Sequence, residues 1–335
     1  MDQTLNRMPK MKIGLIDVDH SRFPNIALMK ISAWHKKVGH QVEWYTPFEH
    51  YDIVYMAKVF AFTEDWREPI NADKVIIGGS GYIIRNKNGK EGWYPFEHHK
   101  ETNRRGYKFM DELPYHIEHI YPDYSLYPMY TKDTAYGFLT RGCPRGCEFC
   151  HVAAKEGKRS YKVADLQEFW RGQKNIVLCD PNILACKDWK QLLQQLIDSK
   201  AWVDFNQGLD IRMMTEEKAQ MLSQIKIKQI HFAWDRYEDK DLVLPRLEMF
   251  RKHTKINSHN AIVYTLVNFD TTIDQDLERI YTLRKMGYWA YVMIYDKEHA
   301  DPIYKKMARW VNNRFIFAKC ERFEDYWNNQ NNTNP

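Results

Sequence analysis

The stretch Thr140-Arg-Gly-Cys-Pro-Arg-Gly-Cys-Glu-Phe-Cys-His151 determines how the fold of this 335-residue chain is interpreted. It places Cys143, Cys147 and Cys150 at the spacing C-x3-C-x2-C, and three thiolates so close in sequence can bind one face of an iron–sulfur cluster. The chain has six cysteines, so only about 0.002 triplets with this spacing are expected by chance. A four-iron cluster held by three thiolates has one iron open to a substrate or cofactor.

Two other interpretations of the triplet remain open from the residues alone. A structural zinc site usually has four nitrogen or sulfur ligands, and His151 could supply the fourth, although the sequence shows no second pair of ligands. Structural thiols are the other alternative, whereas disulfides would leave one cysteine of the three unpaired. We expect an iron–sulfur cluster.

The residues around the triplet suit a loop that wraps a cluster. Tyr136-Gly-Phe-Leu-Thr140 is predicted to be a short strand that leads into the loop, and Gly142 and Gly146 allow tight backbone turns. Arg145 would offset the negative charge of a thiolate-ligated cluster. Phe149 places an aromatic ring between the last two cysteines.

With Phe149 directly before the last cysteine, the triplet resembles the signature of the radical SAM superfamily. Cys143, Cys147, Phe149 and Cys150 match that signature position by position. The resemblance implies a [4Fe-4S] cluster on the three cysteines, with S-adenosylmethionine chelated to the open iron through its amino and carboxylate groups. It also implies an electron donor of the flavodoxin or ferredoxin type. The electron cleaves the sulfonium to methionine and a 5′-deoxyadenosyl radical, which abstracts hydrogen from a substrate.

Charge and composition limit the surroundings in which the chain is expected. The formal net charge is +5, which permits an anionic partner without requiring one. No run of about 18 apolar residues occurs, and the first ten residues lack the apolar centre of a signal peptide. We therefore expect no membrane association and a cytoplasmic location, whose reducing conditions suit an oxygen-sensitive cluster.

The N-terminal part of the chain alternates apolar strands with an amphipathic segment. Strands are predicted at 12–17, 42–45, 53–55 and 75–77, and a helix at 25–37 that stops at Gly39. This pattern predicts a small, doubly wound, Rossmann-like domain over residues 1–85. The glycine-rich turn at 78–81 follows a strand, at the edge where such sheets bind ligands.

The same region resembles the cobalamin-binding-type domain that precedes the barrel in one branch of the superfamily. The ligand motif of that domain has a histidine two residues after an aspartate and a glycine three residues later. Here the segment reads Asp17-Val-Asp19-His20-Ser-Arg-Phe-Pro24, which has the wrong spacing and lacks the glycine. We therefore expect no cobalamin, with His20 a polar loop residue rather than a cobalt ligand.

Two polar segments flank the region that follows. Residues 86–130 are predicted to be a polar linker and lead-in, and residues 323–335 a disordered polar tail. The basic run from His98 to Arg105 within the linker is either a solvated surface or a binding surface for an anionic substrate.

Residues 131–322 alternate strands and helices and, counting the strand at Tyr136, predict six or seven repeats. Strands are expected at 176–179, 202–205, 230–234, 261–267, 290–294 and 315–317, and helices at 188–197 and from 215 onward. The pattern suits the partial (β/α)6 TIM-like barrel that the resemblance implies. The predicted fold is therefore α/β, with a partial barrel preceded by the small Rossmann-like domain.

Polar residues just past each strand are the candidates for binding S-adenosylmethionine, because sites in such folds lie at the carboxyl ends of the strands. These candidates are Asp180, Asn182, Gln207, Asp210, Arg212, Asp235 and Asp270, with Phe149 as a further cofactor contact. Asp235 or Asp210 would accept hydrogen bonds from the ribose hydroxyls, and Arg212 would pair with the cofactor's carboxylate. The alternative for each is a helix cap or an ion pair at the strand end.

Three further cysteines, Cys179, Cys186 and Cys320, lie outside the triplet. One hypothesis is that the three bind an auxiliary cluster, and another is that one of them donates hydrogen to a substrate radical. Their scattered spacing favours buried structural thiols instead. Cys179 is the candidate catalytic residue among them because it ends a predicted barrel strand.

Three functions are compatible with these observations, and we expect the first. It is a radical SAM enzyme with an unidentified substrate, which includes peptides and small metabolites. The second is the same chemistry on a nucleic acid or nucleotide, which the net positive charge and the aromatic residues suit. The third is a non-enzymatic module that binds nucleic acid, or zinc through the three cysteines and His151.

Overall fold

The computed structural model describes residues 9–87, 90–93, 105–110 and 112–331. It is a mixed α/β structure with parallel sheets, which confirms the predicted α/β class. Within the described residues, no helix combines the length and the apolar character needed to cross a membrane. The chain divides into two units, the first formed by Met1–Lys87, Glu91–Gly137 and Leu166–Gln173, the second by Asn88–Lys90, Phe138–Asp165 and Lys174–Pro335.

The chain up to residue 137 contains eight strands and three short or medium helices among its described residues. The strands are β1 (Lys12–Asp17), β2 (Gln41–Trp44), β3 (Tyr51–Ala57), β4 (Ala72–Gly78), β5 (Ile84–Lys87), β6 (Lys90–Trp93), β7 (Lys108–Phe109) and β8 (Thr134–Gly137). The helices are α1 (Ile26–Lys37), α2 (Tyr115–Glu118) and α3 (Pro128–Thr131).

The described residues after 137 contain seven strands and eight helices. The strands are β9 (Thr140–Arg141), β10 (Tyr161–Lys162), β11 (Asn175–Leu178), β12 (Trp202–Leu209), β13 (Lys226–Ala233), β14 (Ala261–Val267) and β15 (Trp289–Ile294). The helices are α4 (Val152–Glu156), α5 (Trp189–Ser199), α6 (Glu216–Leu222), α7 (Lys240–His253), α8 (Ile273–Lys285), α9 (Pro302–Asn312), α10 (Arg314–Lys319) and α11 (Phe323–Asn331).

A parallel sheet of five strands, in the order β2-β1-β3-β4-β7, organises the first unit. Ile13 of β1 lies opposite Val42 of β2 on one side and Ile53 of β3 on the other. Successive side chains of a strand point to opposite faces, so each face has its own buried apolar cluster. One cluster contains Ile13, Leu15, Leu28, Ile31, Tyr55, Ala57, Ile76 and Ile117, and the other Ile16, Val18, Tyr51, Val54, Met56, Val75 and Ile77.

Helix α1 connects β1 to β2, as the sequence predicts. The Asn25 side chain accepts a 3.1 Å hydrogen bond from the Leu28 N–H and caps the helix. The helix ends before Gly39, whose φ of 88° lies in the left-handed region that glycine adopts freely. Residues 58–71, between β3 and β4, contain no helix, so the predicted doubly wound alternation is limited to β1–α1–β2.

Five parallel strands of the second unit run in the order β15-β14-β13-β12-β11. Helices α5 to α8 connect successive strands, which confirms the predicted alternation from β11 to β15. One face of these strands is apolar and buried. Its side chains are Val203, Phe205, Ile230, Phe232, Val263, Ala290 and Val292. Because the strands are parallel, their carboxyl ends meet at one edge, where the predicted site residues lie.

Two strand predictions in this part of the chain differ from the structure. The strand predicted at 315–317 is helix α10, because Asn313 caps a turn there by accepting hydrogen bonds from Phe315 N and Ile316 N at 3.1 Å. The strand predicted at 136–140 is present as two shorter strands, β8 and β9, with residues 138 and 139 between them.

The predicted segment boundaries also differ from the structure. The linker expected at 86–130 includes β7, which pairs with β4 in the first sheet, so this part of the linker belongs to the first unit. The tail expected to be disordered at 323–335 includes α11, because Phe323 and Tyr326 lie one helical turn apart and are both buried. Within the basic run, residues 98–104 lie outside the described residues.

A buried histidine pair lies in the first unit. His35 Nδ1 is 2.7 Å from His40 Nδ1, and His35 Nε2 is 3.0 Å from the Tyr55 hydroxyl. A bond between two imidazole nitrogens needs one donor and one acceptor, so this geometry requires a neutral partner. Burial, assisted by the charge of His40, lowers the pKa of His35 to about 4 from its usual 6.5.

We therefore expect the unfolding free energy to fall as the pH is lowered from about 6.5 to about 4, because the unfolded chain binds a proton on His35 that the folded chain does not. At about pH 5, His35 lowers the free energy of unfolding by about 2 kcal/mol relative to its value at neutral pH. Urea unfolding of the parent and of His35→Gln at pH 7.5 and pH 5 measures it, since Gln cannot titrate. The exposed-site variant His299→Gln is the control, and equal pH dependence of parent and His35→Gln would contradict the expectation.

Candidate functional site

The three cysteines lie in one loop between the antiparallel strands β9 and β10, which pair Arg141 with Tyr161. The loop is closed at its base by Glu156, which accepts hydrogen bonds of 2.9 Å from Gly142 N and from Arg141 Nη1. The Cys143 N–H donates to the Gly157 carbonyl at 3.1 Å. This segment, residues 142–160, is called the cysteine loop below.

Glycine is required where the cysteine loop turns most tightly. Gly142 has a φ of 76°, and a Cβ there would lie 2.1 Å from the carbonyl oxygen of Arg159. Gly146 has a φ of 60°, also in the left-handed region. The predicted role of these glycines in a tight loop is therefore confirmed.

Asp180 attaches residues 139 and 140, which precede the cysteine loop, to the end of β11. The side chain is buried and accepts hydrogen bonds from Leu139 N at 3.1 Å and from the Thr140 hydroxyl at 2.7 Å, as well as from Thr140 N. Burial raises the pKa of Asp180 to about 6, although these hydrogen bonds act in the opposite direction. Both carboxylate oxygens accept hydrogen bonds from the chain itself, so Asp180 supports the strand that leads into the loop.

Asn182 contacts the first cysteine of the triplet. Its Nδ2 donates to Cys143 Sγ at 3.6 Å, and its backbone carbonyl accepts a 2.8 Å hydrogen bond from the Ser160 hydroxyl. The side chain is almost fully buried, and within the described residues its Oδ1 has no hydrogen-bond partner. The amide can therefore orient the Cys143 sulfur and still accept one hydrogen bond at the site.

Asp210 attaches the middle of the cysteine loop to the end of β12. Its carboxylate accepts from Arg145 Nε at 2.7 Å and from Arg212 Nε at 2.8 Å, and Arg212 Nη1 also donates to Asp239 at 2.6 Å. Burial raises the pKa of Asp210, but the two guanidinium groups outweigh burial and hold the pKa below its usual value. Arg212 is thus already paired with two carboxylates, and Arg145 is held by Asp210.

The remaining strand-end candidates differ in exposure. Gln207 lies within β12 and is exposed, and Asp270, after β14, is exposed as well. Asp235 follows β13, and burial raises its pKa to about 6 in spite of the charges of Arg279 and Arg212. Asp235 is near the cysteine loop, since its charge raises the pKa of both Cys147 and Cys150.

The three thiols lie within electrostatic range of one another. Burial raises the pKa of Cys150 to about 11, and the charges of Cys147 and Cys143 raise it further while the Val152 N–H lowers it. Burial also raises the pKa of Cys147, which the Arg212 charge opposes. Across the described part of the chain, however, no three His, Cys, Asp or Glu side chains are arranged to hold a metal ion.

A metal centre fits this donor set in its chemistry. Three neighbouring thiolates repel one another, and a bound cationic centre would favour their deprotonated forms. The donors are those that iron–sulfur clusters use. The side chains of this structure do not themselves form the coordination sphere, so the fit rests on donor type and proximity.

Phe149 connects the middle of the cysteine loop to two other strand ends. Its ring lies 5.3 Å from that of Phe269, which in turn lies 4.9 Å from the ring of Tyr295, both in edge-to-face geometry. Phe269 follows β14 and Tyr295 follows β15. Sequence reasoning did not select these two residues, although each is an aromatic residue that follows the end of a strand.

The other cysteines do not join the triplet. Cys179 and Cys186 are buried, and burial raises the pKa of both thiols. The Cys320 thiol donates to the Arg322 carbonyl at 3.2 Å. These positions agree with the interpretation of structural thiols.

A buried ion pair that sequence reasoning missed positions Asp235. Arg279 of α8 is fully buried beside Asp276 and donates to the carbonyl oxygens of Trp234 at 2.6 Å, Asp235 at 2.8 Å and Leu266 at 2.6 Å. It therefore ties the carboxyl ends of β13 and β14 together. The sequence did contain a signal for this pair: Asp276 and Arg279 are oppositely charged, lie three residues apart and fall on the otherwise apolar face of α8.

Comparison with known proteins adds no relative: no family model matches the chain, and no curated protein matches it. The functional interpretation therefore depends on the spacing of the cysteines and on the contacts of the cysteine loop.

The variant Asp180→Asn tests the attachment of the loop. An amide would place a donor against the Leu139 and Thr140 N–H groups, so we expect a loss of about 2 kcal/mol in the free energy of unfolding. We also expect faster hydrogen exchange of those two amides. The control is Asp198→Asn, the same substitution at an exposed position, and equal exchange in both variants would show that Asp180 does not hold the loop.

Proposed function

We propose that this chain is a radical SAM enzyme in which Cys143, Cys147 and Cys150 hold a [4Fe-4S] cluster. The observation that carries the proposal is the C-x3-C-x2-C spacing with Phe149 before the last cysteine. When bound, the cluster would supply the electron that cleaves S-adenosylmethionine and so generates a radical able to abstract hydrogen from a substrate.

The attachment of the cysteine loop supports this proposal. Asp180 and Asn182 follow β11, and Asp210 follows β12. Asp180 holds Thr140, just before the cysteine loop, whereas Asn182 and Asp210 contact the loop itself. They bring the triplet to the carboxyl ends of parallel strands, which is where α/β proteins place their reactive groups. Under the proposal, the second unit is a partial (β/α)6 barrel and the first a Rossmann-like domain.

The side chains of the site would divide the work of binding and orientation. Asn182 orients Cys143 through the hydrogen bond to its sulfur, and the Arg145–Asp210 pair fixes the loop between the first two cysteines. The Phe149 ring packs edge-to-face on Phe269, and the neighbouring Cys150 is exposed to solvent.

Asp235 is the strand-end carboxylate that we assign to the ribose hydroxyls of S-adenosylmethionine. Asp210 is occupied by two arginines, whereas Asp235 has no ion pair with Lys, Arg or His among the described side chains. The guanidinium of Arg212 belongs to the Asp210 pair, so its role is to hold that carboxylate. An electron donor of the flavodoxin or ferredoxin type is part of the same proposal, and the substrate class stays unassigned.

Metal analysis of cysteine variants tests the proposal. We expect about four irons per chain after anaerobic reconstitution and a brown chromophore near about 400 nm. Single Cys→Ala changes at 143, 147 and 150 should abolish both, together with the release of 5′-deoxyadenosine from S-adenosylmethionine on reduction. Cys320→Ala is the matched control and should retain all three.

Two outcomes would overturn the assignment of the triplet. One is full cleavage of S-adenosylmethionine by all three variants. The other is stoichiometric zinc without iron or chromophore, bound through the same cysteines, which would favour a structural zinc module.

Asp235→Asn tests the assigned cofactor contact. Loss of a carboxylate that accepts two hydroxyl hydrogen bonds should weaken S-adenosylmethionine binding about tenfold, with the iron content unchanged. Equilibrium dialysis of the reconstituted protein with labelled S-adenosylmethionine measures the affinity. Asp274→Asn, an exposed position on α8, is the control, and unchanged affinity in Asp235→Asn would remove Asp235 from the cofactor site.

A further inference from the structure

The first unit contains a cavity of about 360 Å³ at the carboxyl ends of β1 and β2. This volume is within the range of small-molecule sites. The cavity is formed by the first unit alone and does not involve the cysteine loop. Its wall includes five aromatic side chains, one carboxylate and one imidazole: Trp44, Tyr45, Trp66, Tyr127, Tyr130, Asp17 and His20.

The aromatic wall is held by packing between its own rings. Trp44 and Tyr127 are 5.3 Å apart at 79°, and Tyr45 and Trp66 are 6.2 Å apart at 86°, both edge-to-face. Tyr45 also packs against the buried Tyr51, with 5.3 Å between ring centroids. The wall is therefore preformed and does not need a ligand to order it.

Asp17 places a carboxylate in this aromatic wall, and the basic side chain that shares the lining of the cavity is His20. Its side chain is only 6% exposed, and its Oδ2 accepts a 2.8 Å hydrogen bond from the Tyr127 hydroxyl. Among the described residues, Asp17 forms no ion pair with Lys, Arg or His. Burial, with a smaller contribution from the charge of Asp19, raises the pKa of Asp17, whereas the hydrogen bond from Tyr127 and the charge of His20 oppose that shift and favour the carboxylate.

A buried carboxylate without a cation is costly, and a bound cation would relieve that cost. Aromatic rings attract ammonium groups through their negative faces, and they do so most strongly when the cation is desolvated. An anionic ligand would be repelled by Asp17 and Asp19. A neutral ligand would leave the carboxylate without its counter-charge.

We propose that this cavity binds a small organic ammonium ion, held by the Asp17 carboxylate and by the rings of Trp44, Tyr45, Trp66, Tyr127 and Tyr130. The site is separate from the iron–sulfur proposal and stands or falls independently of it. It gives the first unit a ligand-binding role that needs no cobalt ligand at His20.

The test compares a cation with its neutral isostere on the full chain. Choline and 3,3-dimethyl-1-butanol have nearly the same shape and differ in charge, so calorimetric titration of each isolates the contribution of the charge. We expect choline to bind at least about tenfold more tightly than the alcohol. Asp17→Asn and Trp44→Ala should each weaken choline binding about tenfold, and Asp17→Asn should leave binding of the alcohol unchanged.

The controls keep the outcome interpretable. Asp73→Asn and Phe48→Ala alter exposed positions of the same unit and should bind choline like the parent. Asp17→Asn retains an oxygen that can accept from Tyr127, and Trp44 is 39% exposed, so at least one of the two variants should fold like the parent by thermal unfolding. Equal affinity for choline and the alcohol, no binding of choline at millimolar concentration, or full choline binding by a folded variant of either residue would overturn the proposal.

Discussion

The buried carboxylate of Asp180 is the contact on which the candidate site depends. It stands at the end of β11 and receives two backbone N–H groups and one hydroxyl from residues 139 and 140, where β9 begins. A buried carboxylate is costly unless donors surround it, so this position imposes a fixed path on the chain that approaches it. The first cysteine follows three residues later, and its position is therefore set from the strand rather than by the loop itself.

Polar side chains at other strand ends of the second unit also hold the segment that carries the cysteines. Asp210 at the end of β12 holds Arg145 of the cysteine loop, and Asn182 donates to Cys143. Polar groups at the carboxyl ends of β11 and β12 thus serve the loop directly. Their hydrogen bonds resemble the outer contacts that orient metal ligands in proteins, where the groups behind a ligand fix its direction.

Local patterns in the sequence were sufficient for most elements, but not for the partners of the site residues. The apolar runs of β1, β3 and β14 and the cap at Asn25 are local signals, and the structure has each of them. Helix α10 was missed because a three-residue apolar run does not distinguish strand from helix, and the Asn313 cap decided it.

The positions of the polar residues at the strand ends were predictable, but their contacts were not. Asp180 and Thr140 are 40 residues apart, and Arg145 and Asp210 are 65 apart. No local pattern encodes such pairs, because they form only when two loops meet at the same edge of a sheet.

An acidic residue after a parallel strand therefore indicates that its side chain lies at the carboxyl edge of the sheet. It does not indicate which group the carboxylate will contact, and that group decides what the carboxylate does. Asp180 and Asp210 are satisfied by donors from the chain, whereas Asp17, the last residue of β1, has a tyrosine hydroxyl and an aromatic cavity beside it. The first two carboxylates are consequently supports, and only the third has a charge left for a ligand.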